Sequence, residues 1–302
     1  MNGVSFVVTV YNKAEFLPAV LGAVFTQEGD FTREFVVIDD GSTDGSYDLM
    51  ARLCAGRRDV RLIRQQNAGP AKATNAAVRA ATLPWLKIVD GDDVLAPYAT
   101  QTLLDAAKAL GARFAVGCNV YYDAAGLARG IGFPAKAAAA PRRRDLFAEC
   151  LRNVPCNLTP TLIDRALYWE VGGCDERLFT QDFSLLLRLA WREKPAAIAT
   201  VVSASPVAAA GRVSGNVGNI LGDVNRAMAY FLAETPGLSF GQRRTAIERA
   251  FGRAWKWQHR HCGATAGSRW FWLYALAKLG PPALAARFLP ETIAAFGGKT
   301  AP

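Results

Sequence analysis

The first third of the chain alternates between short apolar segments and amphipathic segments. Residues 4–10 are rich in β-branched side chains and predict a buried strand, and similar segments lie at 34–38, 60–64, 85–89 and 113–117. Between these segments, helical spacing of apolar residues or a helix-starting proline predicts helices over 16–25, from 45 onward, over 70–81 and over 98–110. Such alternation predicts an α/β fold, with a mostly parallel central sheet flanked by helices.

The later part of the chain has a different pattern. Short helices are predicted over 145–152 and 183–191, and from residue 220 onward apolar stripes recur at helical spacing. We therefore expect a helical C-terminal extension after the α/β region, and we find no internal repeat.

Composition and charge narrow the classes of protein. The chain has 302 residues, of which 51% are hydrophobic and 20% charged, and this is ordinary globular composition. The formal net charge of +9 suits nucleic acid, acidic lipid or a diphosphate substrate, but it also suits a solvated basic surface without a partner. The six cysteines form no C-x-x-C pair, so we expect reduced thiols in a cytosolic protein and no zinc knuckle. We expect no signal peptide and no membrane-spanning segment.

Polar residues cluster directly after three of the predicted strands. These clusters are residues 9–12 (Thr-Val-Tyr-Asn), Asp39-Asp40 and residues 90–93 (Asp-Gly-Asp-Asp). Ligands of parallel sheets bind beyond the carboxyl ends of the strands. Turn or capping roles explain one aspartate per loop, but three carboxylates within four residues repel each other unless a cation lies among them. Hard cations such as Mn²⁺ and Mg²⁺ bind carboxylate oxygens and substrate phosphates, so we predict such a metal with a diphosphate ligand here.

Four segments together resemble family 2 glycosyltransferases of the GT-A fold. They are residues 7–12, 37–46, 67–71 and 89–93, and a weaker resemblance covers 172–176 and 181–185. The resemblance implies an inverting transferase that uses a nucleoside diphosphate sugar, with uridine as the base, and a glycan or lipid-linked glycan acceptor. It also implies a donor-binding part over 1–118 and an acceptor-binding part over 119–215, followed by the helical extension over 216–302.

The resemblance assigns roles around the donor nucleotide. Thr9 and Tyr11 would line the nucleobase pocket, with Tyr11 stacked on the base. Asp40 would accept a hydrogen bond from the base edge, assisted by Asp39. Relatives often carry arginine where this chain has Thr74, so the nearby Lys72 is expected to face the phosphates instead.

The resemblance also assigns the metal and the base. Asp92 would be the main metal ligand, Asp90 would face the ribose or the metal, and Asp93 would support the loop. Asp182 would be the general base that takes the proton of the attacking hydroxyl. A helix N-cap is the alternative role for Asp182. The residue before it is Gln181 where relatives have glutamate, and the histidine that relatives carry near residues 211–214 is absent.

The C-terminal region offers two further patterns. Residues 270–274 are largely aromatic and follow several basic residues, which is typical of a helix in a membrane interface or of aromatic packing between helices. His259 and His261 lack further ligands at zinc spacing, so we interpret them as surface or packing residues.

Other function classes fit less well. A dinucleotide-dependent oxidoreductase would need G-x-G-x-x-G after the first strand, where residues 9–13 have no glycine. A noncatalytic module that binds nucleotide-sugars or nucleic acid remains the alternative, although we expect no nucleic-acid partner. We expect a cytoplasmic protein, with peripheral contact to the inner face of the cell membrane through the C-terminal helices as a further hypothesis.

Overall fold

The computed structural model describes residues 2–137, 139–207 and 217–296. The chain divides into two compact units. The sheet unit comprises Met1–Leu146, Cys156–Glu176 and Leu189–Val207, and the helical unit comprises Phe147–Pro155, Arg177–Arg188 and Ala208–Pro302. The segment 211–214, where relatives carry histidine, lies outside the described residues.

The sheet unit contains one sheet, with nine strands among the described residues. Its strands are β1 Gly3–Val10, β2 Thr32–Asp39, β3 Val60–Arg64, β4 Trp85–Asp90, β5 Val94–Leu95, β6 Phe114–Tyr122, β7 Arg142–Arg143, β8 Thr161–Asp164 and β9 Ala196–Pro206. The order across the sheet is β3-β2-β1-β4-β8-β6-β9-β5, and β7 pairs with β9. Strands β1 to β4 are mutually parallel, whereas β8 pairs antiparallel with both β4 and β6. The sheet is therefore parallel in its first half and mixed in its second.

Helices flank the strands and fill the later part of the chain. They are α1 Leu17–Phe25, α2 Ser46–Cys54, α3 Pro70–Ala80, α4 Ala99–Ala109, α5 Ala124–Arg129, α6 Leu146–Cys150, α7 Arg165–Glu170, α8 Gln181–Arg192, α9 Val217–Glu234, α10 Phe240–Cys262, α11 Arg269–Leu279, α12 Pro282–Ala286 and α13 Leu289–Ala294. Helices α1, α3 and α4 begin and end within one residue of their predicted bounds, and α2 begins one residue after its predicted start. Among the described residues, none of the helices combines the length and the hydropathy that a membrane-spanning helix requires.

The core of the sheet unit lies between β1, β2 and the helices packed on them. Phe6 and Phe35 are fully buried, and their rings stack with centroids 5.2 Å apart. The predicted stripe of α1 is buried at Leu17, Val20 and Val24. Strand β1 is buried along almost its whole length because both of its edges are paired and helices cover the faces.

The helical unit is built around α9 and α10. Helix α10 begins at a capping box, in which the Ser239 side chain accepts from the Gln242 backbone and the Gln242 side chain accepts from the Ser239 backbone. His259 stacks on Trp255 at 5.2 Å and His261 lies 4.0 Å from the Trp257 ring, so both histidines pack on neighbouring aromatic rings, as expected.

The aromatic residues of α11 divide between packing and exposure. Phe271 makes an edge contact with Trp255 at 5.5 Å, and Trp270 packs on the small core around Phe296. Trp272 is 64% exposed. Packing between helices therefore explains part of this segment but leaves the Trp272 side chain on the surface.

Several elements have no counterpart in the sequence predictions. Strands β5, β7, β8 and β9 were absent from the predicted pattern, and β9 is the longest strand of the sheet at 11 residues. The sequence Ala-Ala-Ile-Ala-Thr-Val-Val of β9 has small apolar side chains on both faces, so it shows no clear alternation. It becomes a strand because β6 and β5 pair with its two edges.

Candidate active site

The site forms where β1, β2 and β4 end at the same edge of the sheet. The register places Thr9 opposite Asp90 and Val10 opposite Asp39. Tyr11, the next residue, is 44% exposed, so its ring is accessible at this edge. The three polar clusters that the sequence predicts at strand ends therefore meet, because parallel strands in register end together.

Gly91 allows the close approach of two of these clusters. A Cβ atom at this position would lie 2.9 Å from the carbonyl oxygen of Thr9 and 3.2 Å from Cγ2 of Val10. Any side chain would therefore push the acidic loop away from the end of β1. Glycine at residue 91 keeps Asp90 and Asp92 beside the first loop.

The carboxylates of the acidic cluster have different partners. Nζ of Lys13 lies 2.5 Å from Oδ2 of Asp92, whose side chain is almost fully buried. Oδ2 of Asp93 accepts hydrogen bonds from the Thr159 hydroxyl at 2.5 Å and from the Asn157 amide at 2.9 Å. These bonds connect Asp93 to the segment before β8, whereas Asp92 forms the ion pair with Lys13.

The backbone of the acidic loop is also anchored. The Tyr122 hydroxyl donates to the carbonyl oxygen of Asp92 at 2.6 Å, and the Asp90 backbone N–H donates to the Thr159 hydroxyl oxygen at 3.3 Å. Asp90 itself is half-buried at the end of β4. The loop is thus held from β6 and from the segment before β8.

The two aspartates after β2 organise the neighbouring loops. Both oxygens of Asp39 accept from the Ser42 backbone N–H at 3.2 to 3.3 Å, and Arg64 lies 3.5 Å from this fully buried carboxylate. Asp40 accepts from the Gln65 side chain at 2.7 Å and from the N–H groups of Ala68 and Gly69, both at 2.9 Å. Asp40, which is predicted to bind a nucleobase, therefore already accepts hydrogen bonds from three donors of this chain.

The loop after β1 has an unusual backbone. Asn12 is the one residue other than glycine with positive φ (+52°) among the described residues. Its side-chain oxygen accepts from the Thr43 N–H at 2.8 Å, and its own N–H donates to the Ser42 hydroxyl at 3.0 Å. Asparagine tolerates this conformation through such local bonds. The result fixes Tyr11 on one side of the turn and Lys13 on the other.

Helix α3 carries the exposed Lys72 and the buried amide of Asn75. Lys72 is exposed in the first turn, whereas the Thr74 hydroxyl donates to the Pro70 carbonyl at 2.9 Å and is buried. Asn75 accepts from the Cys174 N–H at 2.9 Å and from the Tyr168 hydroxyl at 2.6 Å. Asn75 therefore holds α3 against the segment that follows the glycine turn at 172–173.

Asp182, the predicted general base, belongs to the helical unit. It is the second residue of α8, which begins at Gln181, so it is not an N-cap of a helix that begins at Phe183. Burial raises the pKa of its carboxyl, the nearby Asp223 carboxylate raises it further, and a hydrogen bond from the Phe183 N–H at 2.7 Å opposes both. A carboxyl with a raised pKa is suited to accept a proton near neutral pH.

Asp223 on α9 orders the segment that leads into α8. Its Oδ2 accepts from the backbone N–H groups of Phe179 at 2.8 Å and Thr180 at 2.6 Å and from the Thr180 hydroxyl at 2.7 Å. Arg226 lies 2.7 Å from the other oxygen. Asp223 was not among the predicted site residues, and nothing in its sequence surroundings marks it.

The donor set at the acidic loop fits a hard divalent cation. Within the described ranges, no group of three or more His, Cys, Asp or Glu side chains is placed to hold a metal by itself. Mg²⁺ is commonly bound by one or two carboxylates together with waters and substrate phosphates, so Asp92 and Asp90 provide the expected ligand chemistry. Lys13 is the positive group that contacts Asp92 in this structure, and a metal would compete with it.

The residues missed by the sequence predictions differ in how visible they are. Lys13 follows the Tyr11-Asn12 motif directly, so its position beside the site was a signal that could have been used. Thr159 and Asn157 lie 66 and 64 residues from Asp93 and carry no motif. Only the pairing of β8 with β4 brings them to the site.

Comparison with known proteins gives a family match and several relatives. The model for "Glycosyl transferase family 2" matches residues 5–171, which is more than half of the chain. The succinoglycan biosynthesis protein ExoO of Rhizobium meliloti is 39% identical over 114 residues, covering 37% of this chain and 32% of that protein. The teichoic acid poly(glycerol phosphate) polymerase of Staphylococcus epidermidis is 33% identical over 109 residues, covering 35% of this chain and 15% of that protein. The match thus spans about a third or less of these relatives' length.

Solved structures share the fold over nearly the whole chain. S. aureus TarS 1-349 in complex with UDP-GlcNAc matches with a TM-score of 0.66 at 13% identity, covering 98% of this chain and 89% of that one. The mannosyltransferase PcManGT from Pyrobaculum calidifontis, in complex with GDP-Man and Mn²⁺, matches with a TM-score of 0.59 at 19% identity, covering 97% and 84%. These similarities confirm the predicted GT-A fold with its helical C-terminal region.

Proposed function

The chain belongs to glycosyl transferase family 2. We propose that it is a glycosyltransferase, which transfers a sugar from a UDP-linked donor to a hydroxyl group of a glycan or lipid-linked glycan. The observation that carries this proposal is the register that brings Thr9 beside Asp90 at one sheet edge. An accessible aromatic ring and a buried acidic loop then lie next to each other, as a nucleotide with a diphosphate requires. The UDP complexes of TarS and the name of ExoO support the donor and the acceptor class.

The donor nucleotide would lie along this edge. Tyr11 would stack on the base and Thr9 would line the same pocket. Asp40, with Asp39 beside it, would hold the base edge through capacity left on its oxygens, because each carboxylate oxygen has two lone pairs. Lys72, exposed at the start of α3, would approach the phosphates as a point charge.

Asp92, assisted by Asp90, would hold Mn²⁺ or Mg²⁺. A bound divalent cation would stabilise the negative charge that grows on the departing nucleoside diphosphate. The PcManGT complex with Mn²⁺ supports a metal in this fold. Nζ of Lys13 contacts Oδ2 of Asp92 in the structure. Lys13 would therefore have to leave this oxygen when a cation binds to it.

Asp182 would act as the general base. A carboxylate of raised pKa can take the proton of the acceptor hydroxyl as that oxygen attacks the anomeric carbon. Direct displacement on one face of the sugar gives inversion at that carbon. The family pattern at residues 181–185 and the burial of this carboxyl support the assignment.

The chain would divide into two functional parts and an extension. Residues 1–118 would form the donor-binding part and 119–215 the acceptor-binding part, with 216–302 as the extension. We propose a cytoplasmic location, with the basic and aromatic C-terminal helices at the inner face of the cell membrane, where the exposed Trp272 would sit in the interface.

The proposal is tested by measuring nucleoside diphosphate release from a panel of donors, with Mn²⁺ and with EDTA, for the unchanged protein and for Asp92→Ala. We expect release from a UDP-sugar in Mn²⁺ and its loss in EDTA and in the variant, while circular dichroism stays unchanged. Full turnover by Asp92→Ala would contradict the metal assignment. Donor binding without release or transfer in any condition would instead favour a noncatalytic module.

A further inference from the structure

A basic cavity lies within the helical unit, outside the residues assigned to the donor, the metal or the base. It has a volume of about 410 Å³. Among the described residues, five basic side chains and one carboxylate, that of Glu248, line it; the basic residues are Arg152, Arg249, Arg253, Lys256 and Lys278. A cavity with such an excess of positive charge attracts anions.

Helix α10 supplies the central part of this charge. Arg249, Arg253 and Lys256 follow one another at spacings of four and three residues, so they share one face of the helix. Like charges on one face repel each other, and this repulsion costs stability unless an anion binds among them. The arrangement is therefore unfavourable for an empty cavity and favourable for an occupied one.

Arg253 gives the second observation. Its Nε donates to the side-chain oxygen of Asn225 at 2.7 Å, and the Asn225 amide in turn donates to the Ala250 carbonyl at 3.0 Å. Its Nη2 is buried and has no hydrogen-bond partner within the described part of the chain. A buried donor without an acceptor costs free energy, so the guanidinium is held in place with both N–H donors of Nη2 unused.

The surroundings of Arg253 also make its positive charge unfavourable. Burial lowers the pKa of Arg253 to about 10, and the positive charge of Arg249 contributes to this lowering. Both causes disfavour the cationic form, and an anion beside the two guanidinium groups would reverse them.

We propose that this cavity binds a phosphate ester, with the phosphoryl group between Arg249, Arg253 and Lys256. Guanidinium groups match phosphate oxygens with paired donors, and the Nη2 of Arg253 would find its acceptor there. The volume exceeds what a bare phosphate needs and lies in the range of small-molecule pockets. The apolar side chains of Leu221 and Val224 and the ring of Tyr274 line the remainder, which suits the sugar or glycerol part of an ester.

The test measures binding of sn-glycerol 3-phosphate by calorimetry, in EDTA so that no metal-dependent donor site contributes. The variants are Arg249→Gln combined with Lys256→Gln, which are both exposed, and Arg253→Gln. The control is Arg260→Gln, which removes one exposed charge from the same helix outside the cavity.

We expect saturable binding that weakens about tenfold or more in the double variant and in Arg253→Gln, and by less than twofold in the control. The double variant keeps the test decisive if Arg253→Gln does not fold, since it leaves the contact with Asn225 intact. Absence of saturable binding, or equal weakening by Arg260→Gln, would overturn the proposal.

A second arm identifies the source of the phosphate. Sedimentation with vesicles of phosphatidylglycerol, with and without free sn-glycerol 3-phosphate, shows whether a lipid headgroup competes for the cavity. Vesicle binding that the soluble ester displaces, and that the double variant loses, identifies a lipid headgroup. Soluble binding that vesicles do not affect identifies a free phosphate ester.

Discussion

Lys87 is a fully buried lysine on β4, and its titration should make the stability of the protein depend on pH. Its Nζ donates to the carbonyl oxygens of Thr159 and Thr161, the latter at 3.2 Å. Burial lowers the pKa of Lys87 from 10.5 to about 7, although the negative charge of Asp93 acts in the opposite direction. The neutral amine therefore predominates in the folded protein above neutral pH.

The sign and size of the effect follow from proton linkage. Between pH 7 and 10 the unfolded chain carries a proton on Lys87 that the folded protein has lost. The free energy of unfolding must then rise with pH, by about 1.4 kcal/mol per pH unit once the folded form is neutral. Half-titration near pH 7 reduces the gain at the start, so we expect about 2 kcal/mol between pH 7 and 9.

The assay compares the unchanged protein with Lys87→Met by urea unfolding at pH 7, 8 and 9. Methionine fills a similar volume but does not titrate. The unfolding free energy of the unchanged protein should therefore rise by about 2 kcal/mol relative to that of Lys87→Met between pH 7 and 9. Lys108→Met, at an exposed position on α4, should leave the pH dependence unchanged. Parallel curves for Lys87→Met and the unchanged protein would refute the reasoning.

Three further variants test the site and its support. Lys13→Met removes the ammonium group that competes for Asp92, so Mn²⁺ binding measured by calorimetry should tighten roughly tenfold and the free energy of unfolding without metal should fall by about 1 kcal/mol. A Mn²⁺ affinity equal to that of the control Lys72→Met would count against the ion pair between Lys13 and Asp92. Asp182→Asn should keep donor binding but lower transfer by about 10² to 10⁴. Below its raised pKa Asp182 is protonated and cannot accept a proton, so kcat/KM of the unchanged protein should decline toward acid pH, and this decline should be absent in the variant. An unchanged pH profile would remove this residue as the base. Gly173→Ala should destabilise the protein by about 2 to 4 kcal/mol, since φ is +64° and a Cβ would lie 2.8 Å from Oδ1 of Asn75. Gly111→Ala, where φ is +56° and the space around a Cβ is open, should cost about 1 kcal/mol. Equal decreases in the free energy of unfolding, measured with denaturant, would show that the contact with Asn75 is unimportant.

The sequence predicted the parallel half of the sheet well. The strands β1 to β4 and helices α1 to α4 follow from local signals, because β-branched runs, apolar spacing and helix-starting prolines act within about ten residues. The strand-end clusters followed as well, since the end of a parallel strand is a position that the chain itself marks. The roles of Thr9, Tyr11, Asp39, Asp40, Lys72, Asp90, Asp92 and Asp182 remain predictions.

In the mixed half of the sheet, the sequence predicted only the start of β6, at residues 113–117. Strand β9 has no clear alternation, and it is a strand because β6 and β5 bond to its edges. Such pairing joins residues that lie far apart along the chain, and β-structure depends on those neighbours more than on local preference.

Local patterns along the chain were enough to predict the alternating α/β elements, the acidic loop and its place at a strand end. The partners of the charged groups depend instead on contacts between distant segments. Tertiary structure placed Lys13 on Asp92, Thr159 on Asp93 and three donors on Asp40, and it buried Nη2 of Arg253 in a basic cavity. The reason is physical: local sequence fixes backbone preference and apolar spacing, whereas the partner of a charged group depends on which distant segments the fold brings within hydrogen-bond distance.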